Sequence, residues 1–269
     1  MRGVLIAVLG AVAAAGPACA APRIVSLDQC ADQYVLAMAP RDEIVGISKR
    51  ALNADSNQRA LAAGLPERRA SLEAILGVRP TVAVRYWTPD ARLPDALVRR
   101  GVGVVQIDEA NDFPGIRANV RKVASALDRR AAGEALIAGM DAKLAASRGA
   151  WGGARALYLT PSGFTAGQDT LVGAVLRAAG LSTEATAPGY SPIPLEALVL
   201  RPPAALVLGF FRDLAGGRQH WTIAGNGRVK DLARRRAIAS LPGSMLGCPA
   251  WFAADGTLAL AQARPAARR

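Results

Sequence analysis

Ser71-Leu72-Glu73-Ala74-Ile75-Leu76-Gly77-Val78-Arg79-Pro80-Thr81-Val82-Ala83-Val84 reads as a short helix, a proline stop and an apolar strand. Pro194-Leu195-Glu196-Ala197-Leu198-Val199-Leu200-Arg201-Pro202-Pro203-Ala204-Ala205-Leu206-Val207 repeats that reading 123 residues further on, without a gap. Leucine, glutamate, alanine and the stopping proline fall at matching positions. The offset is too long for a solenoid unit, so the repeat implies two similar lobes. Two α/β lobes in one chain make a cleft, and clefts between domains are where small ligands bind.

The rest of the chain supports that division. Strands are expected at Arg23–Ser26, Glu43–Ile47, Thr81–Arg85 and Val102–Ile107, separated by helices at Asp28–Met38, Ser71–Leu76 and Asp90–Arg100. Arg50–Gln58 reads as an exposed polar loop or short helix. Strands alternating with helices predict parallel, doubly wound sheets. Phe113, Ile116, Val120, Val123 and Leu127 mark one face of an amphipathic helix over Asp112–Leu127. Asp128 is placed to cap a second, longer helix running to about Arg148, which lies between the repeat-bearing halves and reads as their connector. A new strand starts at Ala154–Thr160, followed by a glycine-rich turn, a helix at Leu171–Ala179, the second repeat unit, a helix at Val229–Arg235, a strand at Ala237–Ala239 and a closing helix at Trp251–Ala263. The expected organisation is a leader over 1–20, an N-terminal lobe over 21–127, a connecting helix over 128–150 and a C-terminal lobe over 151–269.

Arg2, the uncharged run Val4–Ala15 and Ala18-Cys19-Ala20 have the layout of a cleavable secretory signal, too short for a membrane span. Cleavage after Ala20 and export to the periplasm are expected. Cys19 raises a lipoprotein alternative, but Gly16-Pro17-Ala18 before it lacks the usual leucine. The remaining cysteines, Cys30 and Cys248, lie near opposite ends in a compartment that permits disulfides, so a bridge between them is an open expectation. The formal charge of +12 suits an anionic ligand, an acidic membrane surface or an acidic partner better than nucleic acid, which an exported protein rarely meets. Codon bias and solubility account for the same charge.

Ligands of open parallel sheets sit beyond the carboxyl ends of the strands. Those ends carry Arg85-Tyr86-Trp87 in the first half and Phe210-Phe211-Arg212 in the second, with Ser162-Gly163-Phe164-Thr165 after the strand that opens the second half. Tyr190 and Trp221 lie in neighbouring irregular segments. With aromatics at 5% of the chain, this clustering suggests a cleft walled by rings and edged by arginines, suited to a large, partly apolar anion; some of these rings would instead plug the lobe cores. His220 is the single histidine, and the several His, Cys or carboxylate ligands of a direct metal site are not clustered. No resident cofactor or protein-held metal is expected. A metal would arrive already chelated, with His220, Tyr86 or Tyr190 available as an axial ligand. There is no Gly-x-Ser-x-Gly elbow, and Gly163-Phe164-Thr165-Ala166-Gly167 lacks the lysine of a phosphate loop; it reads as a tight turn offering backbone amides.

The pattern resembles the periplasmic substrate-binding proteins of ABC importers for vitamin B12, ferric siderophores and haem. The resemblance rests on Arg23-Ile24-Val25-Ser26-Leu27 with Cys30 and Asp32, Ile44-Val45-Gly46-Ile47-Ser48, Leu72-Glu73-Ala74-Ile75-Leu76 with Arg79-Pro80, Phe164-Thr165-Ala166-Gly167 with Ala178-Ala179-Gly180-Leu181, and Leu195-Glu196-Ala197. It covers essentially the whole chain after the leader. It implies an α/β fold of two Rossmann-like lobes with parallel sheets joined by a single long helix, a monomer, and no enzymatic activity. It also implies capture of a metal chelate and delivery to a permease and its ATPase, with Glu73 and Glu196 docking on permease arginines. The membrane is met only through the permease, and no nucleic acid is bound. As ordinary first-turn glutamates, both would also be favoured by the helix dipole. Two other functions fit the same residues. One is an exported enzyme using the cleft, which predicts a perturbed carboxylate or histidine there, with Asp169 and Asp213 among the few candidates; the other is a basic envelope module for anionic polymers.

Overall fold

A computed structural model describes residues 21–210 and 226–264. In the first lobe, β1 (Ile24–Ser26), α1 (Gln29–Met38), β2 (Ile44–Ser48), α2 (Arg59–Ala62), β3 (Glu67–Arg68), α3 (Leu72–Leu76), β4 (Val82–Arg85), α4 (Leu93–Val98) and β5 (Gly103–Gln106) follow in order. The strands form a sheet in the order β3-β2-β1-β4-β5, every neighbouring pair parallel. The order reverses between β1 and β4, which makes that junction the switch point where such sheets bind ligands. α5 (Phe113–Ala126) leads to α6 (Arg130–Ser147), the longest helix among the described residues. The second lobe holds β6 (Arg155–Leu159), β7 (Phe164–Ala166), α7 (Leu171–Ala178), β8 (Ser182–Thr183), β9 (Tyr190–Pro192), α8 (Leu195–Leu200), β10 (Leu206–Gly209), α9 (Gly227–Arg236), β11 (Ala237–Leu241), α10 (Gly243–Leu246) and α11 (Ala253–Gln262). Its sheet runs β11-β10-β6-β8, again parallel, with its own reversal between β6 and β10. The chain therefore has the expected two parallel-sheet lobes joined by one long helix.

The repeat is visible in the packing. Ile75 of α3 and Leu198 of α8 occupy matching positions and are both buried under the outer face of their lobe. Each such side chain contributes roughly 1.5–3 kcal/mol by leaving water, which is what holds these short helices on their sheets. Glu73 and Glu196 point outward from the first turns.

The seam between the lobes is dense. α6 packs on α5 from the first lobe and on α11 from the second. Gly133 permits the first contact, since a Cβ there would lie 2.5 Å from that of Ala124. Arg117 pairs with Asp141 and Lys143 with Asp255, one ion pair on each side of α6. The segment between α10 and α11 crosses to α1: Cys248 is bonded to Cys30, with a Cα–Cα distance of 5.4 Å. Beside it, the Tyr34 hydroxyl donates to the Pro249 carbonyl at 2.5 Å, and the Tyr34 and Trp251 rings meet edge to face at 5.3 Å. Burial pushes the Tyr34 phenol far above its ordinary range, so it stays a neutral donor.

Three expectations need correction. Asp128 does not cap α6: its backbone is left-handed (φ 55°), Arg129 takes the cap position, and no side chain caps there. The turn from α5 into α6 is too tight for an extended cap residue. Residues 163–167 are more than a turn, because Phe164–Ala166 pairs antiparallel with Tyr190–Pro192. This small sheet joins segments far apart in sequence, which local signals do not reveal. The helix expected at 90–100 is confined to Leu93–Val98.

Candidate functional site

The carboxyl ends of both sheets face one cleft. On the first lobe, Leu27 and Asp28 after β1, Ser48, Lys49 and Arg50 at the end of β2, Arg68 and Arg69 at the end of β3, and Tyr86 and Trp87 after β4 line a cavity of about 550 Å³. On the second lobe, Thr160, Pro161 and Ser162 after β6, with Phe164, Tyr190 and Phe210, line an adjoining cavity of about 690 Å³. Asp55 and Phe210 border both cavities.

Two carboxylates hold the floor of the first cavity. Asp28 caps α1 through the amides of Cys30 and Ala31, and its other oxygen accepts from the amides of Tyr86 (2.6 Å) and Trp87 (3.0 Å). One side chain thus fixes the helix start and the exit of β4. Burial raises its pKa, against the pull of those amides. Asp32, fully buried on α1, accepts from the Ser26 hydroxyl and from the Ser48 amide (2.9 Å) and hydroxyl (2.5 Å). It binds the ends of β1 and β2 together beneath Lys49 and Arg50. Burial, opposed by these hydrogen bonds, lifts its pKa from 3.8 to about 6. The folded protein therefore holds this proton more tightly than the unfolded chain. Stability from Asp32 is full below about pH 4 and is lost as pH rises through about 6, on the order of 3 kcal/mol in all. Thermal melts of the protein and of Asp32→Asn at pH 7.5 and 5 test this: the parent should gain several degrees on the variant in acid, and a constant difference would contradict it.

Tyr86 is half-buried, and its hydroxyl donates to Glu109. Burial and then the Glu109 carboxylate raise its pKa well above the phenol range. Tyr190, on the opposite lobe, lies within electrostatic range of both Tyr86 and Glu109. Trp87 is 62% exposed and Tyr190 56%, so both rings present open apolar surface to the cleft. Lys49, Arg50, Arg68 and Arg69 line the first cavity together with Trp87 and set four cations there. Among the described residues only Arg50 of the four has a carboxylate partner, Asp55, at a loose 3.8 Å.

Of the residues expected in the cleft, Tyr86, Trp87, Phe164, Tyr190 and Phe210 line it. Arg85 does not border either cavity, because it is the last residue of β4 and its carbonyl accepts from Ile107 in the sheet. Phe211, Arg212, Asp213, His220 and Trp221 lie outside the described residues. Asp169 accepts the Gly189 amide and borders a different hollow on the second lobe. The basic wall was missed. Lys49-Arg50 and Arg68-Arg69 sit at strand ends like the aromatics, and that rule, applied to β2 and β3, would have found them. Among the described residues no cluster of three or more His, Cys, Asp or Glu side chains could hold a metal ion.

The sequence profile of the periplasmic binding protein family matches residues 24–239. The chain belongs to that family, whose members are binding proteins of the periplasm or cell exterior. A cobalamin-binding protein of Halobacterium salinarum is 26% identical over 201 residues, covering 71% of this chain and 54% of the relative. The chain thus spans about half the length of the curated relatives it matches. Among solved structures, the periplasmic heme-binding protein BhuT, in complex with two hemes, is 25% identical at a TM-score of 0.69, covering 90% of this chain and 98% of that one. The fold is shared with the apo heme-binding protein RhuT of Roseiflexus sp. RS-1 (22% identity, TM-score 0.68, 90% and 97% covered). It is shared also with the vitamin B12 binding protein BtuF of Vibrio cholerae (16%, 0.61, 90% and 96%).

Proposed function

We propose that this protein captures an anionic metal chelate, best matched by an iron porphyrin such as haem, between its lobes and delivers it to an ABC importer permease. The observation that carries the reading is the first cavity, whose lining brings four cationic side chains together with Tyr86, a hard oxygen donor, and an exposed tryptophan. The cations suit the carboxylates of a porphyrin edge, and the rings suit its faces. A corrinoid, whose ring side chains are amides and whose single anionic group is the phosphodiester of its nucleotide loop, has less use for a wall of four cations, and a metal-free anion has little use for a phenol paired with a carboxylate. Tyr86 is protonated at neutral pH, with its proton already on a hydrogen bond to Glu109. A ferric centre approaching the phenol oxygen displaces that proton, and Glu109 stands ready to take it. The cationic cavity also favours the acidic ligand electrostatically from outside the cleft.

The leader and its cleavage after Ala20 belong to this reading, as does a monomer working in the periplasm. Glu73 and Glu196 then serve as docking charges, one per lobe. Each sits in the first turn of a helix that runs back from the carboxyl edge of its sheet, so both lie towards the cleft side of the molecule. Two separated charges fix orientation and speed encounter more than they add affinity.

The test is a haemin titration of the protein and of an Arg68→Ala, Arg69→Ala double variant. Charge-assisted hydrogen bonds contribute roughly 1.5–3 kcal/mol each, so the double variant should bind at least tenfold more weakly, with a shallower dependence on salt. Equal affinity and equal salt response in the two proteins would remove the basic wall from the site.

A further inference from the structure

Phe210 stands where the two cavities meet. It follows Gly209 at the end of β10, at the reversal point of the second sheet, and in the register of the repeat it is the counterpart of Trp87. Its backbone is held in the left-handed region (φ 62°), one of three non-glycine residues so placed among those described. Such a conformation is costly for an aromatic residue and persists only where the surroundings impose it. Here they do. Gly209 passes so close over Tyr158 that a Cβ would lie 1.9 Å from the phenol oxygen, and the Phe210 amide is tied to the Leu241 carbonyl at 3.0 Å. The turn therefore throws Phe210 to the border, with Asp55 of the other lobe opposite. The two sides of this border differ chemically. The first cavity carries Lys49, Arg50, Arg68 and Arg69; among the described residues, the second is lined, apart from the shared Asp55, by uncharged side chains.

We infer that Phe210 is a specificity-determining residue, a partition between the basic first chamber and the second that admits flat chelates and rejects bulkier ones. A planar ligand can slide its acidic edge into the basic chamber and lay its apolar part beside the Phe210 ring. A corrinoid, with its nucleotide loop below the macrocycle, needs both chambers as one space, and the ring prevents that. The inference rests on the cleft being the chelate site, and it adds what selects among chelates.

The test compares haemin and cyanocobalamin as probes, titrated against the full protein, Phe210→Gly and Phe210→Asn. Both substitutions suit a left-handed backbone and both remove the ring, so a shared effect belongs to the ring and not to altered backbone freedom. Circular dichroism melts confirm that each variant is folded. The protein itself should bind haemin at least a hundredfold more tightly than cyanocobalamin, and both variants should move that ratio at least tenfold towards cyanocobalamin. Saturable haemin binding with a ratio that moves less than tenfold in either variant overturns the partition and leaves the haem reading standing. Tight cyanocobalamin binding by the unaltered protein also overturns it. If the unaltered protein binds neither probe, the haem reading fails first and the partition falls with it.

Discussion

Replacing both Glu73 and Glu196 by alanine is expected to abolish chelate import while leaving haemin affinity within about twofold. The two side chains are exposed, occupy matching first-turn positions and line neither cavity. Among the described residues neither side chain has a hydrogen bond or ion pair: Ser71 caps α3 through the Ala74 amide, and Ile75 and Leu198 hold the two helices down from their buried faces. Exposed first-turn glutamates stabilise a helix by only about 0.3–1 kcal/mol, too little to unfold the lobes. Uptake in cells carrying the partner permease, set beside a titration of the purified variant, separates the roles. A single substitution should leave partial uptake, because one charge still orients one lobe. Lost haemin affinity in the double variant would move these residues from docking to the ligand site, and unimpaired uptake would reduce them to helix-dipole partners.

The second large effect concerns the seam. Changing Cys30 and Cys248 together to alanine should lower the unfolding free energy by about 3–5 kcal/mol, since the bridge closes a loop spanning 218 residues of sequence separation and long loops give the largest stabilisation. Both cysteines are buried and both border the first cavity, so the consequence extends to binding. Without the bridge, α1 and the segment leading to α11 are held by the Tyr34–Pro249 hydrogen bond and the Tyr34–Trp251 ring contact, while Asn57 before α2 donates to the Ser244 carbonyl of α10 at 2.9 Å. Asp28 and Asp32 stand on that same helix, so loosening it disturbs the anchors of Tyr86, Trp87 and Ser48. Denaturant titrations should show the lower midpoint, and haemin should dissociate faster from the variant. An unchanged midpoint would mean that the packed seam alone fixes the lobes.

The sequence revealed the elements whose signals are local. The helix-stop-strand repeat, the helix starts at Asp28 and Ser71, and the apolar stripe of α5 all depend on neighbours within a few residues, and the structure has them. Asp128 shows the limit, because a good capping residue was overruled by a tight turn between two packed helices. The β7–β9 pair and the two-residue strands β3 and β8 were illegible for a different reason: they exist through partners distant in sequence and carry almost no pattern of their own. For the cleft, aromatic scarcity made Tyr86, Trp87, Phe164, Tyr190 and Phe210 conspicuous. Arginines are so common in this chain that the basic wall did not stand out until the fold gathered β2 and β3 at one edge. Asp32 was equally hidden, since only burial turns an ordinary helix aspartate into a bolt between two strands.

The most direct test of the account is a titration of the purified protein with haemin, followed in the Soret region at low ionic strength. The account predicts saturable binding at sub-micromolar haemin with a shifted Soret band, as expected for a porphyrin held between rings with an oxygen donor at its iron. A linear, unsaturable rise with the spectrum of free haemin would contradict it and leave the two lobes without the ligand that their cleft describes.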